Sequence, residues 1–233
     1  MLNNLKEDLK EKADSKKAKK LMSFFKTGDG QYGQGDLFLG IVVPEQRKIA
    51  KEYKDLKRSD LQKLISSKVH DHRSVALFIL TGQYQRADKN QKKEIVDFYL
   101  KNIEKINNWD LVDNSAYHIL GDYFLDKNKD FLHKLAKSEN LWKRRIAIMT
   151  TFGFIKQNKF IETFKIAKIL LNDKHDLIHK AVGWMLREAG NRDFEKEEVF
   201  LKKHYKQMPR TMLRYAIEKF PEKTRQDYLK GRI

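Results

Sequence analysis

A short apolar frame with a small residue at its centre recurs five times along this chain. The small residues are Ala76, Ala116, Ala147, Gly183 and Ala216, and neighbouring ones lie 31 to 40 residues apart. Repeats of this length are typical of helical solenoids, in which each repeat is a pair of antiparallel helices. A small side chain in the middle of a helix lets the next helix approach closely. The pattern therefore predicts an all-α, curved α-solenoid with a concave groove.

The content of helix-breaking residues supports this fold class. Only three prolines and 11 glycines occur among 233 residues, and no run of alternating apolar and polar residues indicates a sheet. We expect one domain over residues 1–233, made of N-terminal helices at 1–26, a glycine-rich loop at 27–43 and helical repeats at 44–233. The predicted helices of the repeats are 44–54, 59–67, 72–84, 91–105, 110–126, 129–137, 141–156, 160–171, 175–189, 193–205, 210–219 and 221–230.

The loop contains a string that superficially matches a dinucleotide-binding motif. Gly28, Gly30 and Gly33 spell G-x-G-x-x-G. A working motif of this kind follows a strand and opens a helix within a βαβ unit, whereas the residues before this one, LMSFFK, favour a helix. We therefore reject nucleotide binding here. Pro44, just beyond the loop, suits the first turn of the next helix.

Charge is the strongest signal in the overall composition. The net charge is +17, from 49 Lys and Arg against 32 Asp and Glu, and the pI is near 9.7. Such a balance favours a polyanionic partner, most often nucleic acid, although solvated lysine-rich helix faces are an alternative. The absence of cysteine excludes disulfides, zinc–thiolate fingers and cysteine-bound iron–sulfur clusters. With no signal-peptide pattern and no long apolar run, we expect a cytoplasmic protein and no membrane partner.

The repeat frame also predicts where charges lie. The residues three positions before each small residue are Arg73, Asp113, Arg144, Lys180 and Leu213. If these positions face the concave side, they form a basic groove that contains a single acid. The alternative is that they are ordinary exposed helix residues. The candidate DNA-binding residues are Arg73, Arg144, Arg145, Lys180, Arg187, Arg210 and Arg214.

Two tryptophans and one acid form the sharper candidate site. Trp109 and Asp113 are four residues apart at the start of a predicted helix, where they share one face, and Trp184 lies in a later helix. A purely structural interpretation is the alternative. Asp110 would be the N-cap, Asp113 would interact favourably with the helix dipole, and the tryptophans would pack in the core. The pairs His70/His72 and His175/His179 are too poor in neighbouring carboxylates for a metal site, so we expect solvated histidines at helix starts.

Several segments together resemble a known family. NNWDLVDNSAYHILG, LWKRRIAIM, HKAVGWMLRE, GQGDLFLGI and MPRTMLRYAIEKF are similar to segments of the bacterial AlkD-type DNA alkylation repair proteins, in the same order and spacing. The resemblance runs from about Leu21 to Phe220. It implies a HEAT-like-repeat DNA glycosylase that removes alkylated bases.

The resemblance assigns roles to individual residues. Asp113 matches the catalytic carboxylate, Trp109 the aromatic residue one turn before it, and Trp184 the second aromatic residue of the site. Arg145 matches a basic residue near the DNA backbone, with Arg144 as a close rival. Where the family can have a tyrosine on an N-terminal helix, this chain has Phe24 or Phe25. Neither can supply the hydroxyl group of that tyrosine.

The implied activity is the release of cationic N3- or N7-alkylated purines, such as 3-methyladenine and 7-methylguanine, from duplex DNA. A carboxylate would stabilise the oxocarbenium-like sugar, and no metal or other cofactor is needed. We expect a monomer that binds double-stranded DNA containing alkylated bases. A non-catalytic HEAT-like module that binds nucleic acid or protein is the alternative, and a scaffold for an acidic protein surface is a third.

Overall fold

The computed structural model describes all of residues 1–233, and its regular structure is helical. Fourteen α-helices, α1 to α14, are joined by short turns, by a few single turns of other helix types and, between α2 and α3, by a long loop. One isolated parallel bridge, between Leu37 and Val69, is present outside them. The all-α prediction is confirmed. The chain divides into two compact units, residues 1–115 and 116–233. The single-domain boundaries and the solenoid curvature stay predictions.

The first unit contains seven helices, of which α5 is the buried central one. They are α1 Leu2–Glu11, α2 Ser15–Phe24, α3 Val43–Glu52, α4 Arg58–Ile65, α5 His70–Arg86, α6 Lys89–Lys101 and α7 Trp109–Asp113. Helix α5 packs against α3, α4, α6 and α7. Its residues Val75 to Leu80 are all at most 9% exposed, so this stretch of α5 is buried on every side, in agreement with its entirely apolar sequence. The predicted glycine-rich loop connects α2 to α3, and it follows a helix rather than the strand that a dinucleotide motif requires.

The second unit arranges its helices in two layers. It contains a π-helical turn at Tyr117–Gly121, followed by α8 Asp130–Ala136, α9 Leu141–Ile155, α10 Ile161–Ile169, α11 Asp176–Gly190, α12 Phe194–His204, α13 Arg210–Ala216 and α14 Glu222–Leu229. Helices α9, α11 and α13 lie side by side, each against the next. Helices α8, α10 and α12 each pack on one or more of these. The second helices of successive pairs therefore form one layer within this unit.

Most predicted helices of the repeats are present to within a few residues, but the one predicted at 110–126 is not continuous. Helix α7 ends at Asp113. The side chain of Asn114 donates to the main-chain oxygen of Asp110 at 2.8 Å, and the hydroxyl of Ser115 donates to that of Leu111 at 2.6 Å. Side chains that bind the carbonyl four residues earlier compete with the backbone ladder and bend helices. The spacing of apolar residues alone therefore could not predict where this helix is interrupted.

Helix starts follow the capping rules that the sequence makes available. Asp14 caps α2, Asn140 caps α9 and Asp193 caps α12, each by accepting hydrogen bonds from main-chain N–H groups of the first turn. Asp88 and Gln91 form a reciprocal capping box at α6. Pro44 lies in the first turn of α3, as expected. Local sequence therefore determines where many of these helices begin.

The small residues of the repeat frame lie where helices meet. All four alanines of the frame are at most 1% exposed. At Gly183 on α11, a Cβ atom would lie 2.4 Å from the main-chain oxygen of Met212 and 3.2 Å from the main-chain nitrogen of Ala216, both on α13. The backbones of α11 and α13 therefore approach so closely that only glycine fits. This confirms the packing role predicted for the small residue at this position.

We predict that Gly183→Ala destabilises the protein by about 2 kcal/mol, because the added methyl group meets rigid backbone rather than a movable side chain. Urea unfolding followed by circular dichroism measures this. Gly82→Ala in α5 is the matched control, since its Cβ would meet only the end of the Arg86 side chain, at 3.6 Å. The control should be neutral or more stable by about 0.5–1 kcal/mol, the usual gain of alanine over glycine in a helix. Equal stability of the two variants would contradict the close approach.

Candidate functional site

Helix α7 presents Trp109 and Asp113, and its start is set by Asn108. The side chain of Asn108 accepts a hydrogen bond from the main-chain N–H of Trp109 at 2.8 Å. The sequence-based choice of Asp110 as N-cap is therefore wrong: Asp110 is the second residue of the helix, and it is buried at 7% exposure. One oxygen of its carboxylate accepts from the main-chain N–H of Leu111 at 2.8 Å, and the other contacts a side chain of α5, as described next.

Asp110 belongs to a buried network of charged side chains. The imidazole of His70, at the start of α5, lies 2.8 Å from the carboxylate of Asp110 and 3.4 Å from that of Asp36 in the glycine-rich loop. Arg73 donates to Asp36 at 2.7 Å and to the main-chain oxygen of Ser67 at 2.9 Å. Every charged member is at most 7% exposed. The network thus connects α7, α5 and the loop.

The network keeps His70 protonated at neutral pH. Burial alone lowers the pKa of His70, but the charge of Asp110 and the hydrogen bonds that the imidazole donates to Asp110 and Asp36 outweigh burial and raise the pKa to about 9. Contacts with His70 and Arg73 correspondingly hold the pKa of Asp36 below its usual value despite burial. The two acids and two bases therefore compensate one another's charge in the interior.

The glycine-rich loop is further attached to α5 through Asp71. This carboxylate is fully buried and accepts hydrogen bonds from the main-chain N–H groups of Leu39 at 2.8 Å and Ile41 at 3.2 Å. Between them, Gly40 has φ of +86°, and a Cβ there would lie 2.2 Å from the main-chain oxygen of Asp14. Only glycine allows the loop to pass this close to the start of α2.

Aromatic rings from α2 and the loop support Trp109. The indole stacks on Phe25 with ring centroids 5.1 Å apart and planes 14° apart, and it meets the edge of Phe24 at 5.8 Å. Phe25 in turn stacks on Phe38, which stacks on His70. Trp109 remains partly exposed, and Phe24 is 62% exposed. One side of the indole is thus covered while the ring keeps access to solvent.

Asp113 is the last residue of α7 and is partly exposed. At this end of a helix the macrodipole disfavours a negative charge, so the dipole stabilisation predicted for Asp113 is wrong. The helix around it is firmly held: the hydroxyl of Ser115 is also 3.0 Å from that of buried Tyr99, and Arg47 donates to the side chain of Asn114 at 2.8 Å. Burial raises the pKa of Tyr99, and the negative charge of Asp113 adds to that rise.

Trp184 lies in the second unit, on α11. Its indole N–H donates to the carboxylate of Glu188 at 2.9 Å, and its ring centroid is 6.0 Å from that of Phe152. Phe152 makes an edge contact with Tyr117, and the ammonium group of Lys156 lies 4.4 Å from the centre of the Tyr117 ring. Trp184 is partly exposed. It is therefore a supported, accessible aromatic residue like Trp109.

The predicted DNA-binding arginines differ widely in exposure. Arg73 is 3% exposed within the network described above, and Arg145 is 5% exposed and donates to the main-chain oxygen of Leu177. Arg144 binds Asp173 at 2.6 Å and the main-chain oxygens of Ser138 and Glu139. These guanidinium groups satisfy backbone and carboxylate acceptors at helix ends. The sequence pattern predicted positive residues at these positions. It could not predict that carboxylates and main-chain oxygens of the protein itself accept their hydrogen bonds.

The remaining predicted cations range from largely buried to exposed. Lys180 is paired with Asp176 at 2.6 Å and keeps 40% of its side chain exposed. Arg187 is paired with Glu218 and is 17% exposed. Arg210 is exposed and donates to the main-chain oxygen of Leu229. Arg214 on α13 is exposed and has no acidic partner. Of the seven predicted residues, Arg214 is therefore the best placed for a phosphate contact.

The histidines were only partly anticipated. His175 caps α11 by accepting from the main-chain N–H of Leu177, consistent with a histidine at a helix start. His70 also begins a helix, but the expectation that it is solvated is wrong, since it is 2% exposed. Its partner Asp110 is 40 residues away in sequence, so no local pattern could reveal the pair.

Comparison with known proteins places this fold and site in context. A solved structure described as "Predicted DNA alkylation repair enzyme from Enterococcus faecalis" has a TM-score of 0.68 and 17% sequence identity, and the alignment covers 91% of this chain and 98% of that one. At this level of identity the likeness shows the fold. Among curated proteins, no sequence matches the chain.

The family model described as DNA alkylation repair enzyme matches residues 5–220. The chain therefore belongs to the DNA alkylation repair enzyme family, which confirms the resemblance seen in the sequence and supports a role in DNA repair. None of its helices has both the length and the apolar character needed to cross a membrane.

We predict that the His70–Asp110 contact makes stability depend on pH in a defined window. The pKa of His70 is raised to about 9 in the folded state, above its ordinary 6.5. Its charged contacts therefore contribute fully below pH 6.5, and this contribution is lost as the pH rises through 9. His70→Gln should be less stable than wild type by about 3 kcal/mol at pH 6.5, and the difference should shrink towards pH 9.

Thermal unfolding of both proteins from pH 6 to 9.5 measures this difference. His72→Gln is the matched control, because desolvation lowers the pKa of His72 to about 4, outside the window. The control should run parallel to wild type between pH 6.5 and 9. A parallel course for His70→Gln as well would refute the charged state assigned to His70.

Proposed function

We propose that this protein is a monofunctional DNA glycosylase that excises cationic N3- or N7-alkylated purines, such as 3-methyladenine and 7-methylguanine, from duplex DNA. The chemistry is hydrolysis of the N-glycosidic bond. Membership of the DNA alkylation repair enzyme family supports a repair substrate, and the net charge of +17 favours a polyanion. The finer assignment rests on the residues of α7.

The observation that carries the proposal is a partly exposed carboxylate next to a partly exposed indole on a firmly anchored helix. Asp113 lies one turn after Trp109 and at the end of α7 where the helix dipole gives it no stabilisation. The anchors are separate residues: Asp110 binds His70, and Ser115 binds Tyr99. The fold therefore holds Asp113 on a fixed helix, one turn after Trp109 and with access to solvent.

A fixed carboxylate suits this reaction. An alkylated purine with a positive charge is already a good leaving group, and its departure develops oxocarbenium character on the sugar. A negative charge held close to the sugar stabilises that cation, as carboxylates do in glycoside hydrolysis. Asp113 also has the chemistry to orient the attacking water. The same charge would repel phosphate, so a carboxylate has little purpose in a surface that only binds DNA.

Trp109 and Trp184 would complement the carboxylate. The face of an indole carries negative potential and attracts a cationic sugar or base. Trp109 is backed by Phe25, and Trp184 is oriented by its hydrogen bond to Glu188, so each ring is held before DNA binds. Rigid aromatic rings lose little conformational entropy on binding, which favours tight contact.

We predict that wild-type protein releases 7-methylguanine from methylated duplex DNA and that Asp113→Asn lowers the single-turnover rate by at least about 100-fold, because an amide cannot neutralise the developing cation. Release of free base, separated by chromatography, is the measurement. Asp97→Asn is the matched control: it removes an exposed acid on α6 and should retain the wild-type rate.

Duplex affinity measured in parallel distinguishes chemistry from binding. Asp113→Asn should bind at least as tightly as wild type, since a charge that repels phosphate has been removed. No base release by the wild-type protein, with duplex binding intact, would favour a non-catalytic binding module. Full activity of Asp113→Asn would overturn the role of this carboxylate alone.

We predict that Arg214→Ala weakens duplex binding and reduces the salt dependence of binding by about one phosphate contact, because an exposed and unpaired guanidinium releases counterions when it binds. Fluorescence anisotropy over a series of salt concentrations gives the slope. Lys223→Ala on α14, which removes another exposed cation, is the matched control. If both variants keep the wild-type slope, Arg214 does not contact phosphate.

A further inference from the structure

The second unit contains a large groove that the proposed reaction does not use. It encloses about 890 Å³ and is lined by α10, α12, the end of α9 with the segment that follows it, and the segment before α8. We call it the α10–α12 groove. Its apolar lining is Leu125, Phe154, Phe160, Ile161, Phe164, Val199 and Phe200. Ile161 and Val199 are 70% and 69% exposed, although each has an apolar side chain.

This groove is separate from the surroundings of Trp184. No residue of α11 or α13 lines it. Helix α9 contributes Phe152 to the Trp184 contact and Phe154 to the groove. Because successive residues of an α-helix are about 100° apart, these two side chains leave α9 on nearly opposite sides. The groove and Trp184 therefore lie on different faces of the second unit.

The rim of the groove is rich in lysine. Five lysines and two glutamates line it: Lys129, Lys159, Lys165, Lys196, Lys203, Glu162 and Glu195. Three of the lysines form ion pairs with nearby acids: Lys159 with Asp126, Lys165 with Glu162, and Lys196 with Asp193. All three lysine side chains are more than half exposed, and ion pairs of exposed lysines contribute little stability. An incoming carboxylate can therefore reach these lysines from solvent.

Two lysines of the rim have no acidic partner. Lys129 donates to the main-chain oxygen of Leu125, and Lys203 makes no ion pair. Beside Lys203, His204 is 8% exposed, packs against the Phe200 ring at 4.7 Å between ring centroids, and leaves its Nδ1 atom without a hydrogen-bond partner. Burial and nearby lysines lower the pKa of His204. The end of the groove at Lys203 and His204 thus offers both a positive charge and an unsatisfied polar atom.

We infer that the α10–α12 groove is a docking site for an acidic amphipathic helix of a partner protein. Apolar side chains spaced at i, i+3, i+4 and i+7 would enter the phenylalanine-lined floor, and flanking carboxylates would meet the lysines of the rim. Helix-in-groove recognition combines these two features. The apolar floor matches the apolar face of such a helix, and the positive charges of the rim match its carboxylates. These two matches together favour this occupant. The inference does not depend on the proposed glycosylase activity.

Duplex DNA fits this groove less well than such a helix. DNA presents phosphates to cations but has no large apolar side groups to fill a cavity lined by four phenylalanines. Large exposed apolar surfaces rimmed by polar residues are typical of protein-interaction sites. The lysines would then set the sign of the partner's charge, while the apolar floor would supply most of the affinity.

The test uses the full chain and a fluorescein-labelled helical peptide of about 14 residues, four turns of helix, with leucine on one face and glutamate beside it. Fluorescence anisotropy should show saturable binding that weakens with added salt. A peptide with serine in place of leucine, and one with lysine in place of glutamate, should each bind at least about tenfold more weakly.

Variants at exposed positions locate the site. Val199→Glu and Lys203→Glu should each weaken binding of the acidic peptide by at least about fivefold, the first by disrupting the apolar floor and the second by reversing a rim charge. Ile233→Glu and Lys230→Glu make the same changes at exposed positions outside the groove, and they should bind as wild type does. Because all four wild-type side chains are exposed, the variants should keep the wild-type unfolding temperature, which is checked first.

Three results would overturn the inference. One is the absence of peptide binding, or binding that Val199→Glu and Lys203→Glu leave unchanged. Another is displacement of the peptide by unmodified duplex DNA, which would assign the groove to nucleic acid. The last is saturable binding of a fatty acid such as decanoate when the acidic peptide does not bind, which would assign the groove to small amphiphiles.

Discussion

The contact between His70 and Asp110 is the interaction on which the candidate site depends. A buried carboxylate or imidazolium is costly unless it is paired and hydrogen-bonded, and here four charges satisfy one another: Asp36, His70, Arg73 and Asp110. Because these residues come from the glycine-rich loop, α5 and α7, the network fixes three segments together. Trp109 immediately precedes Asp110, and Asp113 lies about one turn after it. The network therefore also fixes the positions of these two residues.

Close helix packing has the same importance in the second unit. Helices α11 and α13 meet where Gly183 approaches the backbone of Met212, and α9 lies on the other side of α11. This layer carries Trp184 on one face. The phenylalanines of α10 and α12 form a groove in the same unit, and α9 separates the two regions by directing Phe152 to one and Phe154 to the other. Different faces of one unit therefore present chemically different surfaces.

Local sequence was sufficient for much of the architecture. Period and composition predicted an all-helical chain, and most helices of the repeats begin and end within a few residues of their predicted bounds. The exception at 110–126 has an identifiable cause, since the side chains of Asn114 and Ser115 take up backbone carbonyls at the end of α7. The burial of Arg73 and Arg145 was also not predictable, because their acceptors lie in segments distant in sequence or on the main chain.

The sequence by itself determined the helical class, the spacing of the small residues, the positive charge and the Trp109–Asp113 pair, because each depends on residue identity or on neighbours within one turn of helix. The tertiary structure decided which charged side chains face solvent and which are buried and paired in the interior. Arg214 is exposed whereas Arg73 is buried, and Asp110 anchors a helix whereas Asp113, three residues later, is accessible. The physical reason is that burial and ion pairing depend on residues distant in sequence, and only folding brings those residues together.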